Sequence, residues 1–231
     1  MNESEFDRFA DEYEAQHRAN IAITGEGPEY FAAYKVAELA RLARALPQAP
    51  RRILDFGSGI GNSIPFFRER FPGVRLTCAD ASSRSLDLSR RRFPGSEEYL
   101  LVDGARIPEE EESFDLVFSA CVFHHIPHEA HRPWLRELRR VTRKGGLLAL
   151  FEHNPLNPLT LRAVSTCPFD ENARLIGARS LVQCIEEAGW AEASARYHIF
   201  FPRALASLRP AEKHLGWLPL GAQYSATARK A

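Results

Sequence analysis

The chain contains 231 residues, of which 45% are hydrophobic and 26% are charged, and its 30 basic and 30 acidic residues cancel. These proportions predict a folded domain of ordinary size with a sizeable core, and they exclude a disordered or fibrous chain. A formal net charge of zero provides no overall field that favours nucleic acid or a membrane surface. No apolar run is long enough to span a bilayer.

The N-terminus and the cysteines both favour the cytoplasm. The segment MNESEFDRFADEYE is acidic and lacks the basic and apolar regions of a signal peptide. The four cysteines form no C-x-x-C pair, and most lie in apolar contexts that are typical of buried thiols. We therefore expect a protein of a reducing, cytoplasmic compartment.

The first 47 residues are predicted to form a helical cap. FDRFADEYE places Phe6, Phe9 and Tyr13 at helical spacing, and the TGEGP segment then breaks the helix. Pro28 opens a second helix, which continues to about residue 46. These helices are too short to carry a core of their own, so they are not expected to form a separate domain.

A glycine turn follows the first predicted strand, in the stretch RRILDFGSGIGN. Gly57, Gly59 and Gly61 allow the backbone to turn sharply and to come close to a ligand, and Asn62 suits the start of a helix. The N–H groups at such a helix start are unpaired. The spacing is not the G-x-G-x-x-G of dinucleotide sites, and Asp55 before the turn suits a cation better than a pyrophosphate. A tight turn without a ligand is the alternative.

Polar residues also stand at the ends of four later predicted strands. They are Asp80, the Asp103–Gly104 pair, the pair His124 and His125, and Glu152. Asp80 lies about twenty residues beyond the turn, where α/β nucleotide folds bind ribose hydroxyls; its alternative role is a helix cap. Asp103 and Gly104 could equally form a plain turn. In a parallel sheet these ends share one edge, where ligands bind.

The remaining elements complete an alternation of strands and helices. HEAHRPWLRELRRVTR is predicted to be a helix that ends at Gly145–Gly146, and GLLALFEHNP is predicted to be the fifth strand. Residues 153–178 have no clean period and are interpreted as an insertion over the carboxyl ends of the strands. After the helix ARSLVQCIEEAGW, the segments ARYHIFFP and GAQYSATARK are predicted to form a closing strand pair, with an irregular segment between them.

Asp55 and the three glycines resemble motif I, D-x-G-x-G-x-G, of the class I S-adenosylmethionine (SAM)-dependent methyltransferases. The resemblance extends over roughly residues 51–190, and FDRFADEYE is similar to the F-D-x-x-A-x-x-Y segment of many small-molecule members. It implies an α/β, Rossmann-like, seven-stranded, mostly parallel sheet with an antiparallel last strand. We expect a single domain over 1–231, with a cap (1–47), a core (51–200) and the insertion (153–178) over the active site.

The resemblance also implies roles for individual residues. Asp55 would hold the SAM amino group, and the glycines would let the backbone approach the methionine moiety. Asp80 would bind the ribose, and Asp103 with Gly104 would bind the adenine. The expected cofactor-binding set is Asp55, Gly57, Gly59, Gly61, Asn62, Asp80, Ala81, Asp103, Gly104 and Ser119. His124 and His125 are the candidates for a catalytic base, with packing against backbone groups as the alternative.

The predicted function is therefore transfer of a methyl group from SAM to an O or N nucleophile of a small organic acceptor. The alternatives are an NAD(P)-binding oxidoreductase and a SAM-binding module without catalysis. A metal site among the histidines around Pro127 is not expected, because no carboxylate trio accompanies them. The basic side of the following helix is interpreted as a solvated face, so no nucleic acid or membrane partner is expected. The oligomeric state stays open.

Overall fold

The computed structural model describes residues 24–104, 106–167 and 172–231, so the predicted segment with Phe6, Phe9 and Tyr13 lies outside the described residues. The described chain forms a seven-stranded sheet. Its strands are β1 (Arg52–Phe56), β2 (Arg75–Asp80), β3 (Glu98–Leu101), β4 (Phe114–Ala120), β5 (Thr142–His153), β6 (Ala191–His198) and β7 (Gln223–Arg229). Their order is β3-β2-β1-β4-β5-β7-β6. Only β7 runs antiparallel to its neighbours, which confirms the predicted Rossmann-like sheet.

Helices cover both faces of this sheet. They are α1 (Pro28–Ala43), α2 (Ile64–Arg70), α3 (Ser83–Arg92), α4 (His128–Val141), α5 (Pro158–Ser165) and α6 (Ala178–Glu187). Because successive side chains of a strand point to opposite faces, Ile53 packs with α1 and α2, whereas Leu54 packs with α4 and α6. The two resulting cores bury the sheet on both sides, as parallel strands require.

The chain leaves β1 toward β2 on one side and places β4 on the other, which makes a topological switch point. Ligands of open α/β sheets bind in the crevice outside the carboxyl ends of the strands at such a point. Asp55 in β1 lies between Cys78 of β2 and Phe118 of β4 in the register of the sheet. The polar strand ends predicted from the sequence therefore share one edge.

The prediction that Gly145–Gly146 ends the fourth helix was wrong. The helix ends at Val141, and both glycines lie within β5. The pairing of β4 with β5 shifts register between Phe114 and Leu116, and a Cβ on Gly146 would lie 2.9 Å from the Asp115 carbonyl oxygen. The glycines are therefore needed for a bulge in a strand and not for a helix cap.

Two further boundaries differ from the predictions near the C-terminus. Residues Arg203–His214, the first part of the segment predicted to be irregular, form a 3₁₀ helix, whereas Trp217–Leu220 lie in turns as predicted. Strand β6 begins at Ala191, four residues before the predicted start. The insertion contains α5, which Asn157 caps by accepting hydrogen bonds from the backbone N–H groups of Leu159 and Thr160. Within the described ranges, the helices are too short or too polar to cross a membrane.

Candidate active site

A cavity of about 340 Å³ opens at the carboxyl edge of the sheet. Asp55 and Asp80 line it from the ends of β1 and β2, Cys121 follows β4, His153 ends β5, and Lys35 reaches in from α1. Of the sequence-predicted site residues, the cavity brings together Asp55, Gly57, Gly59, Asn62, Asp80, His124 and His125. The predicted edge of the sheet is thus a real concave surface.

Five predicted residues do not line the cavity. Asp103 and Gly104 are exposed beyond the end of β3, and Gly61 and Ala81 are buried next to residues that line the cavity in sequence. Ser119 is buried within β4, and its hydroxyl has no hydrogen-bond partner among the described residues. The adenine role of Asp103 and Gly104 and the role of Ser119 stay predictions.

The glycine turn is held by the end of β2. Gly57 N–H donates to the Ala79 carbonyl at 2.7 Å, and Gly59 N–H donates to the Asp80 carboxylate at 2.8 Å. Gly57 has a φ of 77°, and a Cβ there would lie 2.2 Å from a Val122 methyl group. A Cβ on Gly59 would meet nothing within 4 Å, so this residue borders open cavity. The turn therefore exposes backbone to a ligand without an intervening side chain.

Asp55 carries a buried carboxylate with an unused oxygen. The residue is 2% exposed, and its Oδ2 atom has no hydrogen-bond partner among the described residues. Burial and the nearby Asp80 raise the pKa of Asp55 to about 7, against the opposing effect of Lys35. A buried acceptor atom of this kind is costly unless a ligand donor meets it. The ammonium of an amino-acid moiety would satisfy the oxygen.

His124 and Glu152 form a buried dyad beside this carboxylate. Nδ1 of His124 lies 2.6 Å from Oε2 of Glu152, and the two residues are 2% and 1% exposed. The other carboxylate oxygen accepts from the backbone N–H groups of Val122 and Phe123 at 3.0 and 2.7 Å. Burial acts to raise the pKa of Glu152, but His124 and these hydrogen bonds hold it below its ordinary value. An ionised Glu152 therefore orients the His124 ring toward the cavity.

A second polar group, which we call the Lys35 cluster (Lys35, Cys121 and His153), lies next to the dyad. The Lys35 ammonium donates to the Cys121 thiol at 3.2 Å. Burial acts to raise the pKa of the thiol, but Lys35 and His153 lower it to about 6. Cys121 has a φ of 60°, an unusual backbone conformation for a residue other than glycine. The cluster therefore places a lysine ammonium beside a thiol of lowered pKa in the cavity wall.

The outer wall of the cavity is aromatic. We define the aromatic wall as Tyr30, Phe31, Phe200 and Phe201. Glu26 and Arg209 form an ion pair at 2.7 Å, and the guanidinium of Arg209 lies over the Tyr30 ring. This pair joins the start of α1 to the helical segment Arg203–His214. An apolar part of a ligand can pack on this wall.

The histidine cluster after β4 does not gather around a metal in the described residues. Nε2 of His131 lies 2.8 Å from the carbonyl oxygen of Phe123 and 2.9 Å from that of Ile126. It therefore braces the turn that carries His124. No group of three ligating side chains was found among the residues that the structure describes.

Sequence reasoning missed Lys35 and the role of Cys121. It interpreted the cysteines in general as buried thiols, and it named Glu152 only as a polar residue at the end of a strand. A signal for Lys35 was present, because Phe31, Lys35 and Leu39 follow one another at intervals of four residues on the buried side of α1. A lysine in that apolar stripe needs a polar partner inside the protein.

Comparisons with known proteins agree with this geometry. Residues 54–150 match a family described as a methyltransferase domain. Demethylmenaquinone methyltransferase from Thermotoga maritima is 29% identical over 152 residues, 66% of this chain and 61% of that protein. Trans-aconitate 2-methyltransferase from an Azoarcus species is 31% identical over 149 residues, 64% of this chain and 57% of that protein.

The chain therefore spans about three fifths of the length of these curated relatives. The crystal structure of a SAM-dependent methyltransferase from Thermotoga maritima has a similar fold. It matches with a TM-score of 0.67 and 20% sequence identity, over 99% of each chain.

Proposed function

We propose that the chain is a class I SAM-dependent methyltransferase, which transfers the methyl group of SAM to an O or N nucleophile of a small organic acceptor. The match of residues 54–150 to a methyltransferase domain and the two curated relatives support this proposal. The observation that supports this most is the meeting of three features in one cavity. They are the glycine turn, the Asp55 oxygen that has no hydrogen-bond partner among the described residues, and the His124–Glu152 dyad.

The residues at the ends of β1 and β2 fit the cofactor. The unpaired Oδ2 of Asp55 can accept a hydrogen bond from the amino group of SAM. The carboxylate of Asp80 accepts backbone N–H groups from Gly59 and Ser82, and a carboxylate at this position can also accept hydrogen bonds from ribose hydroxyls. The open space over Gly59 lets the backbone approach the methionine moiety. Bound SAM supplies an electrophilic methyl group on a sulfonium.

His124 is the residue best placed to remove a proton from the acceptor. Donation from Nδ1 to Glu152 leaves the lone pair on Nε2, which makes the neutral ring a base. Glu152 also stabilises the imidazolium that forms after proton transfer, because it stays ionised. His125 lies against the same ring at 4.2 Å between ring centroids. We therefore assign the base to His124.

The chain's other contribution is alignment and the exclusion of water. Orientation of two reactants can lower a barrier by roughly 7–11 kcal/mol. The aromatic wall and residues of α5 line the cavity and supply apolar surface that would help to exclude water from a bound acceptor. The named relatives act on demethylmenaquinone and trans-aconitate, two unlike acceptors, so the acceptor of this chain must be inferred from its own cavity.

Calorimetry with the product S-adenosylhomocysteine tests the cofactor part of the proposal. We expect binding by the wild type and a large loss of affinity in Asp80→Asn, with unchanged binding in the surface control Asp87→Asn. Binding of NAD without binding of S-adenosylhomocysteine would contradict the proposal. Release of S-adenosylhomocysteine in the presence of candidate acceptors then reports the transfer itself.

A further inference from the structure

The exposed apolar side chains of the chain are concentrated beside the cavity. Eight large hydrophobic side chains are exposed among the described residues, and all of them except Leu101 lie within residues 156–161 and 205–220. Both segments border the cavity, because Leu159 lines it from α5 and Arg209 lines it from the 3₁₀ helix Arg203–His214. Exposed apolar residues gathered in one region are typical of a surface that a partner covers.

Hydrogen bonds hold the two segments next to each other. The side-chain amide of Asn157 donates to the carbonyl oxygen of Leu220 at 2.8 Å, and the hydroxyl of Thr160 donates to that of Ala222 at 2.9 Å. The start of α5 and the turns before β7 are therefore neighbours at one side of the cavity. We call the exposed side chains of these two places the apolar surface and define it as Leu156, Leu159, Trp217 and Leu220.

The charge around the apolar surface is positive. Residues 156–166 and 203–220 contain four lysine or arginine residues and one carboxylate: Arg162, Arg203, Arg209, Lys213 and Glu212. Glu212 accepts hydrogen bonds from two backbone N–H groups, and Arg209 is paired with Glu26. The other three basic side chains are exposed. The net charge of zero for the whole chain therefore does not describe this region, which attracts anions.

We propose that the apolar surface docks on the surface of an anionic lipid bilayer. Exposed leucines and a tryptophan gain free energy when they enter the head-group region, and flanking lysine and arginine residues are attracted to anionic lipids. Such docking needs no membrane-spanning helix. It differs from the sequence-based expectation of no membrane partner, which used the charge of the whole chain.

The charge argues for lipid and against a second copy of this chain. A two-fold interface repeats the same patch on both subunits, so it would bring two basic regions together. Docking on lipid instead places these charges beside opposite charges. Because Leu159 belongs to both the apolar surface and the cavity lining, the cavity then opens next to the lipid. This inference goes beyond the proposed function and does not depend on it.

Trp217 is a built-in probe of docking. It is 76% exposed, whereas Trp134 and Trp190 are 5% and 4% exposed. We titrate the full chain with vesicles of phosphatidylcholine alone and with vesicles that also contain phosphatidylglycerol. We expect co-sedimentation, a blue shift of tryptophan emission and quenching by brominated lipid with the anionic vesicles only. Trp217→Phe should lose the blue shift and the quenching while it still co-sediments.

Matched variants test the apolar part and the charged part separately. Leu220→Ser should lower the vesicle partition coefficient by about tenfold, because it removes a leucine that lipid would bury. Leu101→Ser is the control, since Leu101 is an exposed leucine of β3 outside the apolar surface. Lys213→Gln should lower the coefficient by about fivefold at low salt, whereas Lys144→Gln, at an exposed position of β5, should not change it.

Four results would overturn the inference. They are no binding to anionic vesicles, equal binding to both kinds of vesicle, a change of Trp217 emission that persists in Trp217→Phe, and equal losses in Leu220→Ser and Leu101→Ser. A dimer in sedimentation velocity that Leu220→Ser abolishes, without vesicle binding by the wild type, would assign the surface to a second copy instead. Thermal unfolding and S-adenosylhomocysteine binding without vesicles show whether each variant is folded, and they test the proposed function separately.

Discussion

The two halves of the cavity rim are built in different ways. At the ends of β1 and β2, the backbone N–H groups of the glycine turn bond directly to Ala79 and Asp80, so neighbouring strands of the sheet organise the site. At the ends of β4 and β5, side chains from α1, from the turn after β4 and from β5 bond to one another. The half at β1 and β2 therefore depends on backbone geometry, whereas the half at β4 and β5 depends on pairing between buried polar side chains.

The largest effect on turnover is expected from a substitution at the ends of β4 and β5. His124→Gln removes the proposed base while keeping a polar side chain, and we expect turnover to fall by about 10²–10⁴-fold. His125→Gln should have a much smaller effect, because the 2.6 Å contact with Glu152 belongs to His124. Turnover is measured by S-adenosylhomocysteine release, and its affinity for each variant is the control. Unchanged turnover in His124→Gln would remove the base from the mechanism.

Asp55 tests the backbone-organised half through the dependence of stability on pH. Its pKa in the folded protein is about 7, above the ordinary value of 3.8. The folded state therefore holds a proton that the unfolded state has lost, so the free energy of unfolding falls as the pH rises from about 4 to about 7 and then levels.

Asp55→Asn removes this titration. We expect the variant to gain stability relative to the wild type between pH 4 and pH 8, on the order of a few kcal/mol, and to bind S-adenosylhomocysteine weakly. Urea unfolding at the two pH values measures the difference. If the free energies of unfolding of the variant and the wild type differ by the same amount at pH 4 and at pH 8, the pKa of Asp55 is not raised.

Gly57 tests whether the turn tolerates a side chain. Gly57→Ala places a methyl group against Val122 and should cost about 1–3 kcal/mol beyond the strain of the backbone. Gly73→Ala is the matched control, because Gly73 has a φ of 79° and open space around its Cβ position. Thermal unfolding of the two variants compares them. If both variants lose the same amount of stability, backbone strain alone explains the need for glycine at position 57.

The smallest effect concerns the Lys35 cluster. We expect Cys121 to react with iodoacetamide with a midpoint near pH 6, and Lys35→Met to move the midpoint toward the ordinary thiol value of about 8.5. Cys184 is an internal comparison, because burial raises the pKa of its thiol. Peptide mass spectrometry of samples quenched at a series of pH values follows both residues. An unchanged midpoint in the variant would exclude Lys35 as its cause.

Predictability from sequence follows the same division. The glycine turn, Asp55 and Asp80 could be recognised because their chemistry is encoded in short segments that end successive strands. Lys35 and Cys121 are 86 residues apart, and no local pattern connects them. Likewise, Gly145–Gly146 has the pattern of a helix end, and only the pairing of β5 with β4 turns these residues into a bulge.

The sequence alone determined the alternation of strands and helices, the edge of the sheet at which the polar residues gather and the carboxylates at the ends of β1 and β2. These features depend on periodicity and on the conformational freedom of glycine, which act over a few residues. Only the tertiary structure decided which histidine has a carboxylate partner, and that a lysine of α1 meets the thiol after β4. Such pairs depend on packing and burial between distant segments, and burial is what makes their charges matter.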